Sequence, residues 1–386
     1  MSGEIPLFKV AMASEAAEQV TQVLKSGFIG QGPKVDEFEK ALEPWIGGPS
    51  VTTNSATAAL TMAMKLSGVG PGAHVISTPL TCSATNIPIL HLGATPLWAD
   101  IDPQTGLIDP ASVEQLVLKY RETVKAIIAV DWGGTPCDYD ALHQVSDGVP
   151  IVEDAAHAFG AWYRERRIGT VADYTAFSFQ AIKHLTTGDG GALRVPESQW
   201  KRARDMRWFG IDRDDPTVQF RGETDITEPG FKFHMNDIAA TIGLANLPQI
   251  DMILRRHRSA ALVYTGELDS RFSRTMPHYD HESSWWMYTV LLPSQQERDD
   301  FRRIAAKRRN CRRSLIQILC CLLNGARKLV QRIHRFLRAA VVTQRLGLGE
   351  RDVIARVASL LGRFIGRQRL GVLVEGEVRL AQIKVS

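Results

Sequence analysis

The chain has 386 residues, 44% hydrophobic and 23% charged, with a formal net charge of +4, as expected of a soluble protein with one large domain and a smaller one. Its N-terminus shows no basic stretch followed by an apolar run, and its longest apolar candidate, Leu315 to Leu323, is short and contains Gln317, which argues against a secretory signal and a membrane span. Cys82, Cys137, Cys311, Cys320 and Cys321 are odd in number and lack metal-ligand spacing, as expected of reduced thiols in a cytoplasmic protein.

Taken in chain order, helical patterns cover Ser14–Lys25, Lys34–Leu42 and Thr57–Lys65, and an apolar strand follows at His74–Thr78. A helix over Pro110–Lys119, a strand over Lys125–Val130, a helix over Asp138–Val145 and strands over Pro150–Glu153 and Ala172–Phe177 come next. Such alternation predicts an α/β fold whose sheet is mostly parallel and covered by helices on both faces. Helix starts are marked by Asn54-Ser55 and by Asp109-Pro110, where proline suits a first turn. Asn236-Asp237 open a further helix, expected from Ile238 to about Leu254. A domain boundary is expected near residue 250, giving a large domain over 1–250 and a small one over 251–386.

Three segments carry chemistry. In Phe177-Ser-Phe-Gln-Ala-Ile-Lys183-His-Leu-Thr-Thr-Gly-Asp-Gly-Gly191 a lysine sits just past a strand, before a glycine-rich turn. Desolvation there would lower its pKa and let it attack an aldehyde, and Ser178 could donate to a phosphate. The plain alternative is a surface lysine beside a turn. In Pro150-Ile-Val-Glu-Asp154-Ala-Ala-His157 a carboxylate ends a buried strand, at the edge where open α/β sheets bind ligands. A carboxylate there can keep the ring nitrogen of pyridoxal 5′-phosphate (PLP) protonated, or it can merely cap the next helix. In Thr53-Asn-Ser-Ala56-Thr57 small residues open a helix. Its free N–H groups and dipole suit a phosphate, and an ordinary N-cap is the alternative.

Together these supply a phosphate cradle, a carboxylate and an amine in the order one cofactor needs. Thr53–Leu60, Val152–Gly160, Phe177–Gly191, Gly230-Phe-Lys-Phe-His-Met-Asn-Asp and the segments starting at Ser26 and Asp131 resemble the signature segments of the DegT/DnrJ/EryC1/StrS aminotransferases, over about residues 5–292. The resemblance implies the fold-type-I PLP-dependent transferase fold and a homodimer with active sites at the interface. It also implies transfer of an amino group, usually from glutamate, to a keto group of a nucleotide-linked sugar. By motif, Lys183 stands for the lysine that forms the Schiff base with PLP and shuttles the proton, and Asp154 for the partner of the pyridine nitrogen. Ser178, Ala56 and Thr57 stand for phosphate ligands. His157 stands where the family often has Gln, near the O3′ side of the ring. Cys82 stands where an aromatic residue often stacks on the ring, and Lys232 where many members place an Asn from the partner subunit. A dehydratase branch of the family has His in place of the lysine, so Lys183 favours transamination. The alternatives are another fold-type-I PLP reaction, such as a lyase or desulfurase, and a non-catalytic, regulatory or inactivated member.

The end of the chain departs from this pattern. Residues 301–386 hold 20 Lys and Arg against 4 Asp and Glu, and they contain no Trp, Tyr or Pro. This small domain is expected to be altered after about residue 303, through a shifted reading frame. Divergence into a basic helical domain and nucleic-acid binding are the alternatives. No stacking aromatics or motif supports the last.

Overall fold

The computed structural model describes residues 10–215, 225–268, 273–277, 280–307 and the strand 316–320, within a compact unit that ends at Cys321. Helices α1 (Ala16–Ser26) and α2 (Pro33–Ile46) lead into strand β1 (Ser50–Thr53), α3 (Ala56–Leu66), β2 (His74–Ser77), α4 (Ser83–His91) and β3 (Thr95–Trp98). Then come α5 (Pro110–Tyr120), β4 (Val124–Val130), α6 (Tyr139–Val145), β5 (Ile151–Asp154), β6 (Trp162–Tyr163), β7 (Arg166–Arg167), β8 (Tyr174–Ser178), β9 (Gly191–Arg194) and α7 (Trp200–Met206). Helices α8 (Asp237–Asn246) and α9 (Ile250–Glu267) precede β10 (Ser273–Arg274), β11 (His281–Glu282), β12 (Tyr288–Leu292), α10 (Gln295–Lys307) and β13 (Ile316–Cys320). Apart from α10 and β13, the tail expected to be altered after about residue 303 lies outside the described residues. Among those residues, no helix is long and apolar enough to cross a membrane.

The main sheet has the order β1-β9-β8-β5-β4-β2-β3. β8, β5, β4, β2 and β3 run parallel, and β9 is antiparallel to both of its neighbours. β4 explains why the sheet is covered twice. Its Ala126, Ile128 and Val130 join one apolar cluster, with Met62 and Ala63 of α3. Its Ile127 and Ala129 join the other, with Phe38, Leu42 and Ile46 of α2. A run apolar at every position, here Ala126 to Val130, is the signature of burial on both faces.

The expected helices and strands occur within a few residues of their predicted ends, with one exception. The helix expected from Ile238 to about Leu254 is two helices. Pro248 lacks an N–H and cannot continue α8; Leu247–Gln249 form one 3₁₀ turn and α9 starts afresh at Ile250. The four-residue strands β1, β3 and β9, and α4 with its internal Pro88, are too short or too irregular to show a period.

One buried ion pair ties the sheet edge to its helices. Arg207, just after α7, is fully buried and bonds Glu39 of α2 and the Thr52 carbonyl of β1, the latter at 2.9 Å. Glu39 also accepts from the Thr52 N–H and hydroxyl, both at 2.8 Å. Removing one partner of such a pair strands the other charge. Arg207→Ala should therefore lose about 3–5 kcal/mol of unfolding free energy, measured by urea titration. A loss under about 1 kcal/mol would show the pair to be dispensable.

Candidate active site

The parallel strands bring their C-terminal tips into line. Val130 pairs with Asp154 across β4 and β5, and Asp154 with Ala176 across β5 and β8. Asp154 is buried at this edge. Its Oδ2 accepts from the Thr85 hydroxyl at 2.6 Å and its Oδ1 from the Ala156 N–H at 3.1 Å. Burial raises its pKa, while these two donors and the positive charge of Lys183 pull it back.

Lys183 lies in the connection between β8 and β9. Burial lowers its pKa to about 8 against the attraction of Asp154 and Cys82, so the three are electrostatic neighbours. Its Nζ sits 3.9 Å from the centroid of the Trp286 indole. The Trp286 Nε1–H donates to the Ile182 carbonyl at 3.0 Å, so the aromatic wall and the lysine loop are joined.

His157 stacks on the same indole, with ring centroids 4.0 Å apart and planes at 13°. Its Nδ1 accepts from the Gly133 N–H at 3.3 Å, which places the ring proton on Nε2. Burial, then Lys183 and His184, hold its pKa well below the ordinary value. His184 is buried and faces His257 at 4.5 Å, and burial again keeps it neutral.

The phosphate cradle is built by close approach. Ser55 caps α3 by accepting from the Ala58 N–H at 3.1 Å, so the N–H groups of Ala56 and Thr57 lie in the first turn, where a helix supplies no acceptor. A Cβ on Gly191 would meet the Ala56 nitrogen at 2.6 Å and the Phe177 carbonyl oxygen at 2.8 Å. Glycine thus lets the start of α3 lie against the ends of β8 and β9, beside Ser178. The Ser178 hydroxyl is buried and accepts only weakly from the Gln180 N–H, at 3.4 Å.

Cys82 is exposed at the N-cap of α4. The backbone of Lys232 runs beside the cradle, its carbonyl accepting from the Asn54 side chain at 3.5 Å. Its amine sits over the Trp208 ring at 3.2 Å from the centroid. Sequence reading missed Thr85 and Trp286. Thr85 looks like any helix residue, and Trp286 comes to Lys183 only through the fold. The DWGG segment at Asp131 did mark the turn that holds His157.

A buried carboxylate, a desolvated amine and a helix N-terminus opened by glycine fit PLP, which offers an aldehyde, a basic ring nitrogen and a phosphate. Comparison with known proteins agrees. The model of the DegT/DnrJ/EryC1/StrS aminotransferase family matches residues 10–315. The spore coat polysaccharide biosynthesis protein SpsC of Bacillus subtilis is 36% identical over 301 residues, covering 76% of this chain and 77% of that protein. The sugar aminotransferase CalS13 of Micromonospora echinospora is 37% identical, with a TM-score of 0.72, covering 78% of this chain and 84% of that one. Streptococcus pneumoniae Spr1654, solved in its PLP form, is 32% identical, with a TM-score of 0.71, covering 79% and 83%.

The fold is that of a PLP-dependent sugar aminotransferase, and PLP is the cofactor. The chain belongs to the DegT/DnrJ/EryC1/StrS family.

The shifted amine gives a direct test. A lysine with a pKa of about 8 is largely neutral, and so nucleophilic, at lower pH than an ordinary one. In PLP-free protein, acetylation of Lys183 followed by mass spectrometry should reach half its maximal rate near a pH of about 8. A midpoint near the ordinary lysine value of about 10.4 would show that the amine is solvated.

Proposed function

We propose that this enzyme moves an amino group from an amino acid, with glutamate the expected donor, to a keto group of a nucleotide-linked sugar, using Lys183 as the amine that holds PLP. The convergence of Lys183, Asp154 and the first turn of α3 at one sheet edge carries this reading. When bound, PLP supplies an aldehyde that condenses with amines and a ring that withdraws electrons from the attached carbon. The protein groups do the rest. Asp154, ionised within reach of the Thr85 and Ala156 donors, holds a proton on the ring nitrogen. Lys183 Nζ, in its neutral form, would take the proton from the donor carbon and pass it to the carbon of the cofactor aldehyde, the proton shift that amino transfer requires.

Ala56, Thr57 and Ser178 hold the phosphate through N–H and hydroxyl donors. His157, held flat against Trp286, presents Nε2–H to the ring oxygen. Trp286, 8% exposed, excludes water from the amine. Cys82 would offer the ring face little stacking area, and Lys232 would serve the phosphate of a second copy across a homodimer interface. Phe28 and Ile29, 78% and 49% exposed, are apolar surface that a second copy would cover. Free Cys82 and Cys137 agree with a cytoplasmic location, and the likeness to SpsC points to an amino sugar used in a polysaccharide.

Lys183→Ala should lose turnover, and borohydride should no longer fix PLP to the protein. PLP still fixed to an active-site lysine in that variant would overturn the role. Asp154→Asn should keep PLP yet slow amino transfer by orders of magnitude in a single-turnover assay with glutamate, because an amide cannot hold the ring proton.

Thr57→Val and Ser178→Ala should each weaken PLP binding by about 1.5–3 kcal/mol, the worth of a hydrogen bond to a charged group. Equilibrium dialysis checks this. Unchanged affinity in both would place the phosphate elsewhere. A panel of ketosugar nucleotides, offered to protein already converted by glutamate, would identify the acceptor.

A further inference from the structure

Two buried carboxyl groups beneath the site have no part in the chemistry above. Asp131 and Glu153 are both fully buried. Asp131 follows β4, and its N–H donates to the Asp154 carbonyl at 3.2 Å. Glu153 precedes Asp154 in β5, so its side chain points to the opposite face of the sheet.

Each carboxyl has one oxygen well supplied with donors. Asp131 Oδ1 accepts from the Cys137 N–H at 2.9 Å and the Tyr139 hydroxyl at 2.8 Å. Glu153 Oε2 accepts from the Gly169 N–H at 3.1 Å and the Thr175 hydroxyl at 2.6 Å. The other oxygens, Asp131 Oδ2 and Glu153 Oε1, are buried and receive no hydrogen bond from the described residues. The two groups are neighbours on one face of the sheet: Ala129 pairs with Glu153 across β4 and β5, and Asp131 lies two residues beyond Ala129. Two ionised carboxylates cannot sit together in a dry interior. A single proton shared by the two carboxyls would let both stay buried.

We propose that Asp131 and Glu153 share one proton, and that this pair is a positioning device that locks the tips of β4 and β5. Through it the fold fixes Asp154, the next residue in β5, and the turn after Asp131. That turn bonds the Asp131 carbonyl through the Gly134 N–H at 3.0 Å and holds His157 through the Gly133 N–H. Burial and repulsion by Glu153 push the Asp131 carboxyl up, and burial does the same to Glu153. Burial, and after it the charge of the two carboxyls, pushes up Cys137 and Tyr139 at the start of α6, so both stay neutral. Arg194 of β9 is the cation that feels Glu153.

The test uses the full-length protein. An amide is the isostere of a protonated carboxyl, so Asp131→Asn or Glu153→Gln alone should donate to the remaining carboxylate and replace the shared proton. Each single variant should keep PLP affinity within about threefold of wild type. Asp131→Asn combined with Glu153→Gln points two N–H donors at each other, and should weaken PLP binding about tenfold or more.

The proton itself has two readouts that do not involve PLP, so they fail independently of the assigned site roles. At a pH of about 8, where ordinary carboxyls are ionised, wild type should show the infrared carbonyl band of a protonated carboxyl, and either single variant should lack it. The folded state keeps a proton that the unfolded chain has released. The folding constant of wild type relative to Asp131→Asn should therefore fall as pH rises above about 4, by up to about tenfold per pH unit, until the shared proton leaves. Absence of the infrared band, a flat pH difference, or a double variant that binds PLP as tightly as the singles would each overturn the proposal. Should the double variant fail to fold, the two proton readouts decide.

Discussion

Taking water away from an amine is one way to make it a nucleophile near neutral pH, and loss of water is the largest influence on Lys183. Burial lowers its pKa to about 8 even though Asp154 pulls the other way. The indole face of Trp286 acts in both directions. It excludes water, and at 3.9 Å it also attracts the ammonium by a cation–π contact. The balance leaves the amine titrating at about 8, nearer neutrality than an ordinary lysine, which suits a group that must both give and take a proton. The same desolvation keeps His157 and His184 neutral, which prevents further cations from crowding the amine.

How the site was legible follows from which contacts are local. Lys183, Asp154 and Ser55–Thr57 could be read because each sits at a strand or helix end with turn chemistry around it, and such ends leave composition marks. Gly191 was visible as a glycine, though its role as the opening between α3 and β8 needs the pairing of β1 with β9. Trp286 stands in a run of aromatic and hydroxyl residues that reads equally well as ordinary core. The single-helix expectation failed at Pro248 for a local reason. Propensity extended that helix across a residue that removes a hydrogen bond. Thr85 was hidden in α4, whose period is blurred by Pro88.

Topology explains why the lysine loop is where it is. β9 alone among the seven strands runs against the direction of the other six. The chain therefore leaves β8 at the ligand edge and re-enters at that same edge. A crossover helix would have carried the chain away to the far side, as it does between β4 and β5. The hairpin-like return keeps Ser178, Lys183 and Gly191 together, and the absence of a side chain at Gly191 lets the positive end of α3 join them.

Alternation along β5 then divides two incompatible duties between adjacent residues. Asp154 must carry a negative charge at the ring nitrogen, and it faces hydroxyl and N–H donors with Lys183 as counter-charge. Glu153, on the opposite face, meets another carboxyl and can stay there only with a proton held between them. A one-residue slip in register would exchange these environments. It would place the cofactor carboxylate against Asp131 and strand the shared proton. The register Val130–Asp154–Ala176 is therefore constrained from both faces of the sheet, by an ionised carboxylate above and a protonated pair below.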